Sequence, residues 1–405
     1  WLFALAVSFV SCDDWLDKTP KDRLYPDVYF KTEDELRLFT NQFYNNLVPS
    51  AVDIYSESSD LIVKSDLMLE MSGQRIIPDE GNGWNFTALR DINFYLQYSH
   101  NCTEVNARNR YDGVARFFRA YFYFEKVKRY GDIPWYDKAL DSDDPELYKA
   151  RDSREFVMQK MLEDLDFAIA NLPKTKNAYV LTRWTALALK SRVCLFEGTF
   201  RKYHGLEDYE KYLNACVSAS ETFMNESGYT LYKSGSTPYR DLFASINLQA
   251  DEVIFGRDYE ASLSVLHNVQ NYENSTTMGR PGMNKKIVNS YLMADGSRFT
   301  DKAGYETMTF DQECQNRDPR LAQTIRTPGY TRIGSTKKEA PNLAYTMTGY
   351  HLIKYSMTAN YDEYNKSCND IPLFRTAEVY LNFAEAKAEL GTLKQADINK
   401  SIKLL

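Results

Sequence analysis

The chain of 405 residues carries 49 Lys and Arg against 56 Asp and Glu, a formal charge of -7, which argues against a nucleic-acid-binding protein. With 43% hydrophobic and 26% charged residues, the composition is that of a globular protein of one large domain or two to three ordinary ones. Aromatic residues make up 14% of the chain and include 30 Tyr, a residue favoured at hydrated binding surfaces, so composition favours ligand binding.

Residues 1–10 are apolar apart from one serine, a run about half of the ~20 residues that a membrane span requires. The run stops at Ser11, as the end of a signal peptide does. Cys12 comes next and is followed by two aspartates, a pattern that resembles the bacterial lipobox, in which the cysteine is cleaved free and acylated. We therefore predict that residues 1–11 are the remnant of a lipoprotein signal peptide and that Cys12 carries a lipid anchor. The alternative is that residues 1–12 form a buried segment of an ordinary domain, without lipid.

Apolar residues then recur every three or four positions over several stretches, which predicts amphipathic helices. Thr32 is followed three residues later by Glu35, a capping-box pattern that marks the start of the first helix. Gly131, Pro173 and Gly198 are predicted to end later helices. The predicted helices span residues 32–48, 87–106, about 114–131, 157–172, 184–198 and 209–224.

Residues 49–84 and 228–372 contain many of the residues that interrupt regular structure, and both stretches are predicted to be mostly loop. Within the second stretch, residues 252–256 are predicted to form a strand, and residues 286–292 and 319–324 short helices.

Helical spacing returns at residues 374–390, is closed by Gly391, and a partner helix begins near Leu393. The spacing continues to the last residue, so a C-terminal part is expected to be missing. We predict a single domain over residues 12–405, with a helical scaffold at 32–227 and 373–405 and a loop-rich insertion at 228–372.

Two helix pairs resemble the tetratricopeptide unit, in which small residues let neighbouring helices approach. Phe383 and Ala384, followed by Ala396, match its spacing, and residues 184–198 followed by Ala215 fit more loosely. The predicted fold is mainly α, a superhelix of helix pairs packed against an irregular half with short helices and strands.

The cysteines beyond Cys12 form no C-x-x-C pair, and the four histidines form no H-E-x-x-H pattern. Neither a disulfide framework nor a zinc site is predicted. The sequence indicates no cofactor, and a structural calcium ion stays an open alternative.

Two long segments resemble the most recognisable parts of the SusD/RagB outer-membrane lipoproteins. The first is residues 116–124 (RFFRAYFYF) with 130–134 (YGDIP). The second is residues 370–375 (DIPLFR) with 377–381 (AEVYL) and 384–386 (AEA). Residues 317–321 (RDPRL) and the lipobox-like Cys12 fit the same family.

The resemblance implies a non-catalytic protein at the cell surface, held to the outer membrane by lipid. It implies that the protein captures oligosaccharides, or peptides in some branches, and delivers them as a hinged lid to a TonB-dependent transporter of the SusC type. Family members continue past a position like Leu405.

The resemblance also implies two ligand-binding loops. The first, residues 64–78, contains Asp66, Gln74 and Arg75 but no Trp, whereas starch-binding members have Trp there, and this difference argues against starch. Asp66 and Arg75 could equally form a surface ion pair.

The second loop, residues 268–281, offers Tyr272 as the aromatic platform, with Asn268 and Arg280 as polar companions. Tyr272 could instead be packed in the insertion. Trp84 is a further candidate, for which core packing is the alternative.

Two other functions remain open from the sequence. A helical glycoside hydrolase would need two carboxylates, and the densest acidic cluster is Asp141, Asp143, Asp144 and Glu146. This cluster has no apolar periodicity, so a solvated loop is predicted instead. A structural helical-repeat adaptor that binds another protein is the second alternative.

Overall fold

The structure is a computed structural model that describes residues 29–56, 59–79, 81 and 83–405. Residues 1–11 and Cys12 lie outside the described residues, so the signal remnant and the lipid anchor stay predictions. The helices are α1 (Glu33–Leu47), α2 (Leu69–Ser72), α3 (Thr87–Tyr98), α4 (Val105–Tyr130), α5 (Arg154–Asn171), α6 (Arg183–Tyr203), α7 (Tyr209–Glu226), α8 (Pro238–Ala244), α9 (Val269–Glu273), α10 (Lys285–Ser290), α11 (Phe310–Glu313), α12 (Thr376–Glu389) and α13 (Gln395–Asn399). The strands are β1 (Ile62–Val63), β2 (Val253–Arg257), β3 (Gly282–Met283) and β4 (Ile371–Arg375).

Helix α1 begins at the predicted capping box. The Thr32 hydroxyl accepts from the Glu35 amide at 3.3 Å, and the Glu35 carboxylate accepts from the Thr32 amide at 3.1 Å. These bonds satisfy amide groups that the first turn of a helix leaves without partners. The buried face of α1, with Leu36 and Phe43, packs on α3 and α4.

The scaffold is a stack of helix pairs. Helix α4 packs along α5, α5 along α6, α6 along α7, and α12 packs on both α6 and α7. The apolar stripes of α4 and α6 are wide, because each of these helices has neighbours on more than one side. The stack confirms the predicted mainly helical architecture of paired helices.

Gly198 does not end α6, so the predicted end of this helix is wrong. A Cβ atom at Gly198 would lie 2.7 Å from Cδ2 of Leu213 in α7. The missing side chain therefore lets α6 and α7 approach closely, and the glycine serves packing rather than termination.

The predicted end of the helix at residues 87–106 is also wrong. Helix α3 stops at Tyr98, a 3-10 turn follows at Ser99–Asn101, and α4 begins at Val105. Tyr95 and Cys102 are buried on the two sides of this turn. The apolar spacing in the sequence therefore continues across the interruption between α3 and α4.

Strand β4 joins the insertion to the scaffold and leads directly into α12. It pairs antiparallel with β2, with Val253 opposite Arg375 and Arg257 opposite Ile371. The strand predicted at residues 252–256 is thus confirmed, whereas the helix predicted from residue 374 begins two residues later.

The loop-rich part contains short helices and many turns, as predicted. The pairing of β1 with β3 ties the irregular segment after α1 to the insertion. The helix predicted at residues 286–292 is α10, and the one predicted at 319–324 is a 3-10 turn, Leu321–Gln323.

Candidate functional site

Two cavities flank the N-terminal end of α3. The Trp84 cavity, of about 530 Å³, lies between this end and the loop at residues 131–152, and Trp84, Arg90, Tyr136, Lys138, Lys149 and Arg151 are among its lining residues. The polar cavity, of about 740 Å³, lies towards the end of α1, and Asn45, Asp53, Asn85, Glu125, Lys126 and Arg257 are among its lining residues. Thr87 lines both cavities. Volumes of this size suit small ligands.

Trp84 is held in a fixed orientation at the wall of the Trp84 cavity. Its ring makes edge contacts with Tyr130, at 4.9 Å between centroids, and with Phe86, at 5.3 Å. Gly83 precedes it with a φ of 85°, a left-handed conformation that favours glycine. The Trp84 side chain nevertheless remains 40% exposed, so a large apolar ring is both braced and accessible.

A buried chain of polar groups fixes the opposite wall. The Asn93 amide donates to the carbonyl oxygens of Tyr136 at 2.8 Å and Lys138 at 3.3 Å. Its Oδ1 accepts from Arg119, whose guanidinium forms a two-pronged ion pair with Asp164 at 2.6 and 2.7 Å. Helices α3, α4 and α5 therefore hold the loop that carries Tyr136 and Lys138.

Lys126 lines the polar cavity and holds the turn that leads to Trp84. Its ammonium donates to the carbonyl oxygen of Gly83 and lies 4.9 Å from the centre of the Phe122 ring. Burial, and then repulsion from Arg129, lowers the pKa of Lys126. The turn before Trp84 is thus attached to α4 through a side chain.

The two loops predicted to bind ligand do come together. The Ser65 amide donates to the carbonyl oxygen of Gly279 at 2.8 Å, next to the β1–β3 pairing. Asp66, Gln74 and Arg75 are exposed. Among the described residues, Arg75 pairs with Glu70 at 3.5 Å and not with Asp66, so the ion pair considered between Asp66 and Arg75 is wrong.

The predicted residues of the second loop are engaged by other parts of the protein, and only Tyr272 among them is buried. Tyr272 is only 3% exposed, so its ring has no open face in this structure. Asn268 Oδ1 accepts from the Asn365 amide, and Arg280 donates to the carbonyl oxygens of Leu343 and Ala344 at 2.8 and 2.9 Å. These assignments stay predictions, and of the seven predicted ligand-binding residues only Trp84 lines the Trp84 cavity.

The remaining walls of the Trp84 cavity were not predicted from the sequence. Tyr136, Lys138, Lys149 and Arg151 lie in a stretch that the sequence marked only as a helix end and an acidic loop. The aromatic and basic residues that follow Pro134 are the feature of the sequence that could have indicated these walls.

The acidic cluster lies on the surface, as predicted. Asp141 and Asp143 are exposed, and Asp144 accepts from the Glu146 amide at 2.9 Å to cap a 3-10 turn. Nowhere in the described ranges do three or more His, Cys, Asp or Glu side chains come together as metal ligands would. No helix in the described part of the chain is both long and apolar enough to cross a membrane.

Comparisons with known proteins agree with the resemblance. Residues 242–405 match the SusD_RagB family model, described as "SusD family", and residues 73–183 match one described as "Starch-binding associating with outer membrane". SusD-like protein P2 of Formosa agariphila is 25% identical, with 96% of this chain and 76% of the relative covered.

Solved structures share the fold. A SusD-like protein from Bacteroides fragilis has a TM-score of 0.74 at 22% identity, with 94% of this chain and 80% of that chain covered. A SusD-like carbohydrate binding protein from the same organism also has a TM-score of 0.74, at 18% identity, with 93% and 78% covered. With SusD-type family models matched over residues 242–405 and 73–183 and the fold shared with SusD-like structures, this chain is similar to the SusD/RagB family.

Proposed function

We propose that this protein is a non-catalytic glycan-binding protein that captures an oligosaccharide in the Trp84 cavity. The observation that carries the proposal is the braced, 40% exposed Trp84 ring at the wall of a 530 Å³ cavity. The C–H face of a sugar ring packs on a flat aromatic ring, and polar groups around it bond the hydroxyls. The description of one similar structure as a carbohydrate binding protein supports this ligand class.

The second part of the proposal concerns location and partner. We infer that the protein is held at the outer membrane by a lipid on Cys12 and delivers its ligand to a SusC-type TonB-dependent transporter as its lid. The match of residues 242–405 to the SusD family model and the outer-membrane association in the second family description support this inference. No cofactor enters the proposal, and a structural calcium ion remains untested.

The alternative functions differ in the ligand that the protein should bind. A RagB-like member would bind peptides, and a helical-repeat adaptor would bind neither peptides nor glycans. A glycoside hydrolase would need two carboxylates facing a shared substrate, whereas the densest acidic cluster forms a surface loop and a turn cap.

Isothermal titration of the full chain with the Cys12→Ala substitution tests the proposal. The titrants are a panel of oligosaccharides and a panel of short peptides. Trp84→Ala should weaken binding of the oligosaccharide class by at least about fivefold, if the ring contributes the roughly 1–3 kcal/mol of an aromatic stacking platform. Tyr364→Ala is the matched control, because Tyr364 is 70% exposed and does not line the Trp84 cavity. Heat only with peptides, or equal affinity of the Trp84→Ala variant, would contradict capture at this cavity.

A further inference from the structure

The Trp84 cavity has an unusual balance of charge for an acidic protein. The whole chain carries a formal charge of -7, yet the charged residues that line this cavity are all basic. They are Arg90, Lys138, Lys149 and Arg151. The polar cavity provides an internal contrast, because Asp53 and Glu125 line it together with Lys126 and Arg257.

The carboxylates that neutralise these cations do not themselves line the cavity. Lys138 lies 2.9 Å from Glu146, and Lys149 lies 2.9 Å from Asp152. The Arg90 guanidinium is 3.7 Å from Asp141. Partly exposed pairs of this kind are worth only about 0–1 kcal/mol, so they leave the cations available to a second anion.

Arg151 is the most available of the four cations. Its guanidinium carbon lies 5.0 Å from the centre of the Trp84 ring. It donates through one nitrogen, at 3.4 and 3.5 Å, to the carbonyl oxygens of Tyr130 and Asp132, and it pairs with no carboxylate of the described residues. A guanidinium stacked on an aromatic ring can still present its planar fork to a carboxylate or a sulfate.

The cavity is also poor in the carboxylate and amide side chains that commonly bind neutral sugars. Sugar hydroxyls both donate and accept, so neutral sugars are bound by Asp, Asn or Gln as well as by donors. Asn93 is the one residue of these types in the lining. Its amide is used by the carbonyl oxygens of Tyr136 and Lys138, and its oxygen is used by Arg119.

We propose that the ligand of the Trp84 cavity is an anionic oligosaccharide, with a sugar ring against Trp84 and carboxylate or sulfate groups bound by Arg151 and Lys138. The inference rests on the proposed function, since it names the class of glycan for the same site. Uronates and sulfated sugars share the required chemistry, and the test separates them.

The test compares matched ligands by isothermal titration of the full chain carrying Cys12→Ala. The probes are tetragalacturonate, its methyl-esterified form, and a sulfated galactan oligosaccharide of the same length, together with the neutral oligosaccharides of the first panel. One of the acidic probes should bind at least about tenfold more tightly than any uncharged one, and its affinity should fall as sodium chloride rises from 50 to 500 mM.

Substitutions of cavity residues test whether the acidic probe binds in the Trp84 cavity. Lys138→Met with Arg151→Met should weaken binding of the acidic probe by roughly tenfold or more. Arg37→Met with Lys160→Met removes the same charge from surface ion pairs on α1 and α5 and should leave affinity unchanged. Arg151→Met alone, with melting temperature measured in parallel, covers the case in which the double variant does not fold.

The outcomes separate the two proposals. Equal affinity for acidic and uncharged oligosaccharides, with loss of binding in Trp84→Ala, overturns the anionic ligand and keeps glycan capture. A neutral oligosaccharide as the tightest ligand would likewise overturn the anionic ligand and keep glycan capture. Absence of binding to every oligosaccharide overturns both proposals.

Discussion

At the scale of single residues, solvent exposure distinguishes two aromatic side chains that the sequence alone does not distinguish. Trp84 and Tyr272 both lie in polar stretches, and both were candidates for a sugar platform. In the structure Trp84 is 40% exposed, whereas Tyr272 is 3% exposed. The difference depends on segments distant in sequence that pack against α9, such as residues 51–56, and local pattern does not encode such packing.

Truncation of these two side chains should therefore affect stability differently. Tyr272→Ala should lower the free energy of unfolding by about 3 kcal/mol, because it removes a buried ring. Trp84→Ala should lower it by less, about 1–2 kcal/mol, since its ring contacts Tyr130 and Phe86 but is partly exposed. Urea unfolding of both variants checks this expectation, and equal losses would show that exposure does not distinguish the two sites.

Glu273 provides a test of the buried polar groups in the insertion. Burial raises the pKa of this carboxyl from 4.5 to about 7, while bonds from Ser356 and the Tyr355 amide act in the opposite direction. The folded chain therefore holds this proton more tightly than the unfolded chain does, so the group costs stability progressively as pH rises from about 4.5 to 7.

Glu273→Gln removes this titration with little change of shape. Relative to the original protein, the variant should gain roughly 2 kcal/mol more in unfolding free energy at pH 7 than at pH 5. Urea unfolding at both pH values measures the difference. A gain that is the same at both values would mean that the folded carboxyl titrates as in the unfolded chain.

At the scale of elements, the sequence predicts a helix boundary where its signal is local and misses one that depends on segments distant in sequence. The capping box at Thr32 is local, and the structure contains it as predicted. Gly198 has the same local signature as a helix end, but its role depends on Leu213 in the next helix. The start of α12 was missed for a similar reason, because β4 exists only through its pairing with β2.

Gly198→Ala tests the packing role of this glycine. Alanine favours a helix by up to about 1 kcal/mol, yet its Cβ would lie 2.7 Å from Leu213, so the variant should lose about 1–3 kcal/mol of unfolding free energy. Combining it with Leu213→Ala should give a loss smaller than the sum of the two single losses. A stabilised Gly198→Ala variant would indicate that α7 moves away at little cost.

At the scale of the whole molecule, the motifs that carry the family resemblance connect the insertion to the scaffold and hold α12 against α6. Asp370 accepts from the Tyr259 amide at 2.8 Å and from the Tyr179 hydroxyl at 2.7 Å. Glu378 forms a two-pronged pair with Arg192, at 2.5 and 2.6 Å, on α6. The fold was therefore predictable from these segments. The cavity was not, because one of its walls comes from residues 136–151, which carry no recognisable pattern.

The proposed anchor belongs to this scale as well. Cys12→Ala in the full precursor should move the protein from the membrane fraction to the soluble fraction, because the acylated residue is removed. Fractionation followed by immunoblotting measures this, with Cys102→Ala as the control for loss of a buried, non-anchoring cysteine. Retention of the Cys12→Ala protein in the membrane fraction would refute the lipid anchor.

The most direct measurement is a crystal structure of the protein with the tightest-binding oligosaccharide of the panel. We predict that a sugar ring lies against the Trp84 ring, within the cavity bounded by α3 and residues 131–152. An oligosaccharide bound only in the polar cavity or beside Tyr272, with Trp84 free of contact, would contradict capture at the Trp84 cavity.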